Sequence, residues 1–397
     1  MKILLVTQKL PLPLEDGYNL RVHHYVQRLA TRHEFGLLSL DQGRLAPELR
    51  ACFREVVLLP LRTPPRAGSL VQRAWQALSP AHLHDYDPVV EAALRTCLAS
   101  HRFDLVWVSG WKMLPYVSTI EGLPVLGDVI DEGAREAWID LWNARSPRGF
   151  VLALRNWLRQ RSFERRYFPE ADLCLFVSES DARATERLCP GLRTAVVHNG
   201  VDAGFFSPQA AAEEGPSLIF EGGMRHAPNV EGILHFHREI LPRIRAELPE
   251  VVLWIVGKDP TPAVRSLAGP GVHVTGFVPD VRPYLARANV FVSPLIGGAG
   301  IKNKLLQAWS MAKPIVATSR SVGGLAARDG ENLLIADRPG DFAAACLRLL
   351  KDPAERQRLG AAGQRLVQDL YTWEKKALEL EQVFLQVQSG GSRGGRR

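Results

Sequence analysis

The sequence predicts an α/β protein made of two doubly wound, Rossmann-like domains that face a central cleft. Three observations carry this prediction. Short apolar runs alternate with segments of helical periodicity, as in parallel sheets whose two faces are covered by helices. The alternation pauses near residue 200 and then starts again. The length of 397 residues suits about two domains.

The first domain is predicted over residues 1–198. Its strands are runs rich in Val, Leu and Ile that are apolar on both faces, which is typical of buried parallel strands. An intervening segment such as 23–33 has apolar residues at helical spacing. The predicted strands are 2–7, 35–40, 56–61, 104–109, 123–129, 172–178 and 194–199.

The second domain is predicted over residues 217–370, after a Gly-, Pro- and Ala-rich linker at 199–216. A helix over 371–388 should follow and cross back to the first domain, and the Gly- and Arg-rich tail 389–397 is expected to be disordered. The predicted strands of this domain are 216–223, 251–258, 272–277, 289–295, 313–319 and 331–337.

The net charge of +7 is concentrated in one place. Residues 145–166 contain seven Arg and one acid, Glu164, which gives +6, so a nucleic-acid-binding surface over the whole protein is not expected. Apolar residues at helical spacing beside these arginines fit either a helix on anionic lipid or an ordinary helix with a solvated Arg face. The five widely spaced Cys favour reduced thiols in the cytoplasm. If residues 145–166 lie on lipid, the expected location is peripheral, on the inner face of the membrane.

The strongest motif follows the predicted strand 289–295. Three glycines at 297–300 let the backbone approach a ligand, and the helix that follows offers free N–H groups. Lys302 and Lys304 add two cations in the first turn, which oppose the helix dipole unless an anion is bound. A diphosphate is the ligand that this pattern indicates, and the alternative is a Gly-rich loop with two solvated lysines.

Two further turns occupy equivalent positions after strands. Gly222 and Gly223 follow the first strand of the second domain, and Asn229 is expected to cap the next helix. In the first domain, Gly17 and Arg21 could reach a phosphate or an acceptor, or lie in a surface loop. Asp128 and Asp131 could contact an acceptor, although capping of a loop is the favoured role.

Several enzyme classes lack their motifs in this sequence. No G-x-G-x-x-G follows the first strand, which disfavours a nicotinamide dehydrogenase. No G-x-S-x-G elbow is present, so an α/β-hydrolase is unsupported. The histidines form no convincing metal set, and no metal cofactor is expected.

Taken together, the motifs resemble the retaining GT-B glycosyltransferases of family 4, and most closely the sugar transferases of exopolysaccharide synthesis. The resemblance covers nearly the whole chain. It is carried by the motifs at 177–182, 199–202, 222–229, 276–281, 293–304, 314–318 and 371–374.

The resemblance implies a hexosyltransferase that moves a sugar from a nucleotide-diphosphate sugar to a glycan or lipid-linked acceptor, with no metal and no nucleic-acid partner. Lys302 would stabilise the leaving phosphate. Phe277 and Val278 would flank the base. The other implied donor-binding residues are Gly17, Arg21, Gly222, Gly223, Met224, Ala299, Gly300, Ile301, Lys304 and Gln307.

Two departures from the family pattern leave an alternative open. The family's paired glutamates correspond to Ala299 and Gln307 here, and Gln offers the ribose a neutral acceptor and a donor in place of a carboxylate. The protein could therefore be a retuned transferase or a degenerate binding partner in a polysaccharide complex.

Overall fold

The computed structural model describes all of the chain apart from residues 12–16, 42, 44, 61–85, 131–132, 143, 145, 211–214, 298–302 and 391–397. The described chain forms two compact units. The first comprises Met1–His198 together with the chain from Lys376 onward, and the second comprises Asn199–Lys375.

The first unit contains a seven-stranded sheet of order β3-β2-β1-β4-β5-β6-β7. Every pair of neighbouring strands is parallel. The strands are β1 (Lys2–Thr7), β2 (Glu34–Ser39), β3 (Phe53–Leu58), β4 (Leu105–Ser109), β5 (Val125–Ile130), β6 (Leu173–Phe176) and β7 (Thr194–Val196).

Helices connect these strands and cover the sheet. They are α1 (Gly17–Leu29), α2 (Pro47–Arg50), α3 (Pro88–Ser100), the 3-10 helix Trp111–Thr119, α4 (Gly133–Trp142), α5 (Pro147–Tyr167), the 3-10 turn Phe168–Glu170 and α6 (Glu179–Leu188). Side-chain caps set several starts: Asp87 accepts the Val89 N–H before α3, and Ser146 accepts the Gly149 N–H before α5.

The second unit contains a six-stranded parallel sheet of order β10-β9-β8-β11-β12-β13. The strands are β8 (Ser217–Glu221), β9 (Val252–Val256), β10 (Val272–Gly276), β11 (Val290–Ser293), β12 (Ile315–Ala317) and β13 (Leu334–Ile335). The helices are α7 (Ala227–His235) with a π-helical turn Phe236–Ile240, α8 (Leu241–Glu247), α9 (Pro262–Arg265), α10 (Arg282–Arg287), α11 (Asn303–Ser310), α12 (Pro339–Lys351), and α13 (Pro353–Leu366) with a π-helical turn Val367–Tyr371.

The final helix, α14 (Trp373–Ser389), joins the first unit from Lys376 onward. There the Phe384 ring lies 5.6 Å from the Trp107 ring, and Glu381 Oε1 accepts from His33 Nε2 at 2.9 Å. The predicted two-domain α/β architecture is therefore confirmed, and each predicted apolar run overlaps a described strand. The runs 35–40, 56–61 and 123–129 are displaced from their strands by one to three residues. Disorder was expected over 389–397, but Ser389 ends α14 and the Gly390 N–H donates to Gln386 O at 3.2 Å. Residues 391–397 lie outside the described residues.

Candidate functional site

The carboxyl end of the second sheet is formed by three interlocked turns. The Gly222 N–H donates to Val256 O at 3.0 Å, and the Gly257 N–H donates to Gly276 O at 3.3 Å. The turns that end β8, β9 and β10 therefore lie side by side, in the order of their strands. Ligands of open parallel sheets bind at this edge.

The closest approach between these turns is that of Gly257 to the Gly222 carbonyl group. The φ of Gly257 is +152°, and a Cβ built on it would lie 1.8 Å from the carbonyl oxygen of Gly222. Gly222 itself is at φ +157°, and a Cβ built on it would lie 2.8 Å from Asn229 Nδ2 and 2.9 Å from Lys304 Nζ, so both side chains would have to shift. Only glycine allows the two backbones to meet in this way.

Lys304 lies in the first turn of α11, and its amine lies among these turns. Lys304 Nζ donates to Asn229 Oδ1 at 2.7 Å and lies 4.7 Å from the centre of the Phe220 ring. Asn229 Nδ2 in turn donates to Gly223 O at 2.9 Å. Lys304 and Asn229 thus brace the Gly222–Gly223 turn, a contact that the sequence did not predict.

The expected capping role of Asn229 is corrected by the structure. Helix α7 begins at Ala227 after His226, which makes no side-chain cap. Asn229 is buried within the first turn, where its amide serves the Gly223 carbonyl and Lys304.

Glu221, the last residue of β8, was missed by the sequence reasoning. Its Oε2 is enclosed and has no hydrogen-bond partner among the described residues. Burial raises the pKa of this carboxyl group, and the nearby charge of Lys304 acts in the opposite direction. A carboxyl group whose pKa is raised by burial therefore lies beside the predicted phosphate turn.

Phe277 and Val278 directly follow Gly276 at the same edge. The Phe277 side chain is 72% exposed, whereas Val278 packs against the core. An exposed aromatic ring next to the Gly222 and Gly257 turns offers a stacking surface for a planar ligand.

Three predicted site residues have other positions in the structure. The Met224 side chain is fully buried in the core of the second unit, so it offers no ligand surface, and its N–H donates to Lys258 O. Arg21 and Asp128 are both fully buried and bound to each other, with Arg21 Nε 3.2 Å from Asp128 Oδ2. The phosphate or acceptor role of Arg21 and the capping or acceptor role of Asp128 are corrected on this ground.

The remaining predicted residues divide into two groups. Gln307 is half-buried on α11, one turn after its first residue, and Gly17 is the first residue of α1. The predicted phosphate loop with its catalytic lysine lies outside the described residues, as does Asp131. The loop residues concerned are Ala299, Gly300, Ile301 and Lys302.

The first unit has a cavity of about 290 Å³ at the carboxyl ends of β1, β4 and β5. Ile130, a β-branched residue, adopts φ +71° at its rim, a strained conformation that is frequent at functional sites. The Tyr18 hydroxyl donates to Ser109 O at 3.2 Å and also contacts the Thr7 hydroxyl. The lining residues are Gln8, Lys9, Tyr18, Gly110, Trp111, Lys112, Val129 and Ile130.

The Arg-rich segment forms α5, which packs beside α4. The Arg161 guanidinium lies 5.4 Å from the centre of the Trp157 ring, and Trp142 is 73% exposed. The Trp138 ring lies 5.5 Å from Trp142 and 4.9 Å from Trp157. None of the described helices is long and apolar enough to cross a bilayer. The exposed apolar side chains of this surface, called here the α4–α5 surface, are Trp138, Trp142, Phe150, Val151, Leu152 and Leu158.

Comparison with known proteins matches each unit to a family model of glycosyltransferases. A model of "Glycosyltransferase Family 4" matches residues 16–205, and a model of "Glycosyl transferases group 1" matches residues 215–352. The chain is 28% identical over 208 residues to a phosphatidyl-myo-inositol mannosyltransferase of Mycobacterium leprae, covering 50% of this chain and 54% of that protein. The chain therefore aligns with about half the length of this curated relative.

Solved structures resemble the chain over nearly its whole length. A sucrose-phosphate synthase from Thermosynechococcus elongatus has a TM-score of 0.70 at 18% identity, covering 98% of this chain and 99% of its own. Anabaena HepE in complex with UDP and glucose has a TM-score of 0.65 at 17% identity, with coverage of 97% and 99%. These likenesses show the fold. The two family matches, over residues 16–205 and 215–352, show that the chain belongs to the family 4 and group 1 glycosyltransferases, whose fold here is GT-B.

Proposed function

We propose that the protein is a retaining glycosyltransferase that moves a hexose from a nucleotide-diphosphate sugar to a glycan or lipid-linked acceptor in cell-surface polysaccharide synthesis. The observation that carries the proposal is the glycine-lined edge of the second sheet, where Gly222 and Gly257 bring two backbones together beside Lys304. The names of the relatives agree with it: one is a mannosyltransferase with a phosphatidylinositol acceptor, and one holds UDP and glucose.

In the proposed reaction, the bond between the sugar's anomeric carbon and the diphosphate breaks while an acceptor hydroxyl bonds to the same face of that carbon. The hydroxyl proton passes to the departing phosphate oxygen. The transition state places positive charge on the sugar and extra negative charge on the phosphate. Cations and the N-terminus of α11 stabilise that charge without a metal, and Lys302 is the proposed catalytic cation.

The donor and acceptor would occupy different units. Phe277 would stack on the base, and Gly222 and Gly223 would contact the phosphates. The cavity beside Tyr18 and Trp111 is the proposed acceptor site, because an aromatic face combined with lysine and amide groups suits a sugar ring and its hydroxyls.

A degenerate binding protein is the second candidate, favoured by Gln307 in place of the family's glutamate. Thermal melting with UDP, GDP and ADP separates a protein that binds nucleotides from one that does not. A ligand at 100 times its Kd should stabilise the protein by about 2.7 kcal/mol. A raised melting temperature with one nucleotide supports the transferase, whereas no shift with any of the three favours the degenerate protein.

Replacing Phe277 by Ser should weaken nucleotide binding about tenfold without changing the melting temperature of the ligand-free protein. The ring is mostly exposed, so its loss costs little folding energy, while loss of stacking on a base costs about 1–3 kcal/mol. Calorimetric titration with the nucleotide selected above measures the affinity. Leu370→Ser, at another exposed apolar position of the second unit, is the control, and equal affinity in the two variants would remove Phe277 from the base site.

The α4–α5 surface is proposed to hold the protein on anionic lipid near a lipid-linked acceptor. Exposed apolar side chains next to arginines fit the boundary between headgroups and acyl chains. We expect co-flotation with vesicles containing phosphatidylglycerol but not with pure phosphatidylcholine vesicles.

The double variant Trp142→Ser and Val151→Ser should lose at least tenfold in vesicle affinity, because both side chains are mostly exposed and would enter the bilayer boundary. Leu378→Ser together with Leu385→Ser alters two exposed leucines of α14 and serves as the control. Flotation that is independent of anionic lipid, or equal in the two double variants, would contradict the membrane role.

A further inference from the structure

Glu221 is an acidic residue at a site that is proposed to bind an anionic diphosphate. It ends β8 immediately before Gly222, in a strand whose four preceding residues are buried. Its Oε2 is enclosed without a hydrogen-bond partner among the described residues. An ionised carboxylate in that position is costly by itself and repels an anionic ligand.

The positive charge of the Lys304 amine acts on the Glu221 carboxyl group and lowers its pKa. The amine is fixed by Asn229 Oδ1 at 2.7 Å and would lie 2.9 Å from a Cβ placed on Gly222, the residue next to Glu221. The position of Lys304 is therefore set by the same turn that would meet the phosphates. Its charge can compensate the Glu221 carboxylate or a ligand phosphate, and each use weakens the other.

We propose that Glu221 makes donor binding proton-linked: the site binds a nucleotide-diphosphate sugar with Glu221 protonated, which leaves the charge of Lys304 available to the diphosphate. This inference rests on the proposed function and concerns the same site. When the ligand binds to the ionised form, the Glu221 carboxylate takes up one proton from solvent. Glu221 is thus an affinity-determining residue that acts through Lys304.

Other charged groups lie on the segments next to Glu221 and Lys304. Arg225 and Asp259 pair with each other at 3.7 Å, and both side chains are mostly exposed. Among the residues that the structure describes, Lys304 is the charge that acts on the pKa of Glu221, and it lowers that pKa. The charged or titratable groups on the segments that follow β8 and β9 are Arg225, His226, Lys258 and Asp259.

The direction of the pH dependence follows from the raised pKa. The folded protein keeps the Glu221 proton to a higher pH than the unfolded chain, so its stability falls as pH rises through the window above the usual glutamate pKa. A bound diphosphate raises the pKa of Glu221 further. Affinity for the ligand therefore also falls as pH rises.

Titration calorimetry with UDP-glucose and with GDP-mannose at pH 5, 6.5 and 8 tests the proposal. The phosphates of both compounds keep a constant charge over this range, so a pH dependence reports the protein. We expect the wild-type affinity to fall about tenfold from pH 5 to pH 8, equivalent to about 1.4 kcal/mol. Glu221→Gln should bind with nearly the same affinity at all three pH values and more tightly than wild type at pH 8.

Glu250→Gln is the matched control, since Glu250 is exposed and precedes β9 at the opposite edge of the sheet. It should follow the wild-type profile. Melting of the ligand-free proteins gives an independent readout, in which Glu221→Gln loses the decline of stability with rising pH. If wild type and Glu221→Gln both bind a sugar nucleotide and their affinities change with pH in the same way, this inference is wrong. The proposed function would still stand. Binding of neither sugar nucleotide at any pH would count against both.

Discussion

Gly257→Ala should lower the melting temperature by about 6–12 °C and abolish nucleotide binding. The added methyl group would lie 1.8 Å from the Gly222 carbonyl oxygen, well inside any allowed contact, and alanine is also strained at φ +152°. Strain and overpacking together cost on the order of 3 kcal/mol, which corresponds to that shift in a unit of this size. The neighbouring turn must move to admit the methyl group, and the proposed phosphate surface moves with it.

Gly340→Ala is the control for this prediction. Gly340 lies in the first turn of α12, and its Cβ would have no atom within 4 Å. Alanine is the better helix former, so this variant should match or exceed the wild-type melting temperature. Calorimetry measures the stability of both proteins, and nucleotide titration measures their binding. A Gly257→Ala protein with wild-type stability and affinity would show that the two turns do not meet as described.

Arg21→Met should destabilise the protein by about 3–5 kcal/mol, because it leaves the Asp128 carboxylate buried without its partner. Both side chains are fully buried, and Arg21 also donates to Val197 O at 2.8 Å and Tyr25 Oη at 3.1 Å. The network joins α1, β5 and the segment after β7. Adding Asp128→Asn to Arg21→Met should restore part of the loss by removing the isolated charge.

The pH dependence supplies a second readout for this pair. Burial raises the pKa of Asp128, and Arg21 opposes that rise. Without Arg21 the folded-state pKa rises further, so the stability of Arg21→Met should fall as pH increases from 5 to 8. Arg95→Met removes an exposed pair with Glu91 and should cost less than about 1 kcal/mol. Equal losses in the two single variants, measured by urea unfolding, would refute the role of the buried pair.

The strands could be predicted from the sequence because burial on both faces produces continuous apolar runs. Several runs extend beyond the strands they contain, as 216–223 does beyond Ser217–Glu221. In run 216–223 the chain leaves the sheet at Gly222. Because the glycine turn follows the strand directly, the residue pattern does not mark where the strand ends.

The roles of single charged residues could not be predicted in the same way. Arg21 lies in an amphipathic helix, and its partner Asp128 is 107 residues away, so no local pattern connects them. Lys304 and Asn229 are separated by 75 residues in the same manner. Glu221 gave one usable signal, a carboxylate at the end of an otherwise apolar run. Only the folded chain shows that Lys304 lies beside it.

Sugar transfer with identification of the product's anomeric configuration tests the central claim most directly. Sugar nucleotides of UDP, GDP and ADP would each be incubated with glycan and lipid-linked acceptors, with and without EDTA, and the products analysed by NMR. The proposal predicts release of one nucleoside diphosphate, a product with retained configuration, and the same rate with EDTA. A nucleotide that binds but yields no product with any acceptor, or a product of inverted configuration, would contradict it.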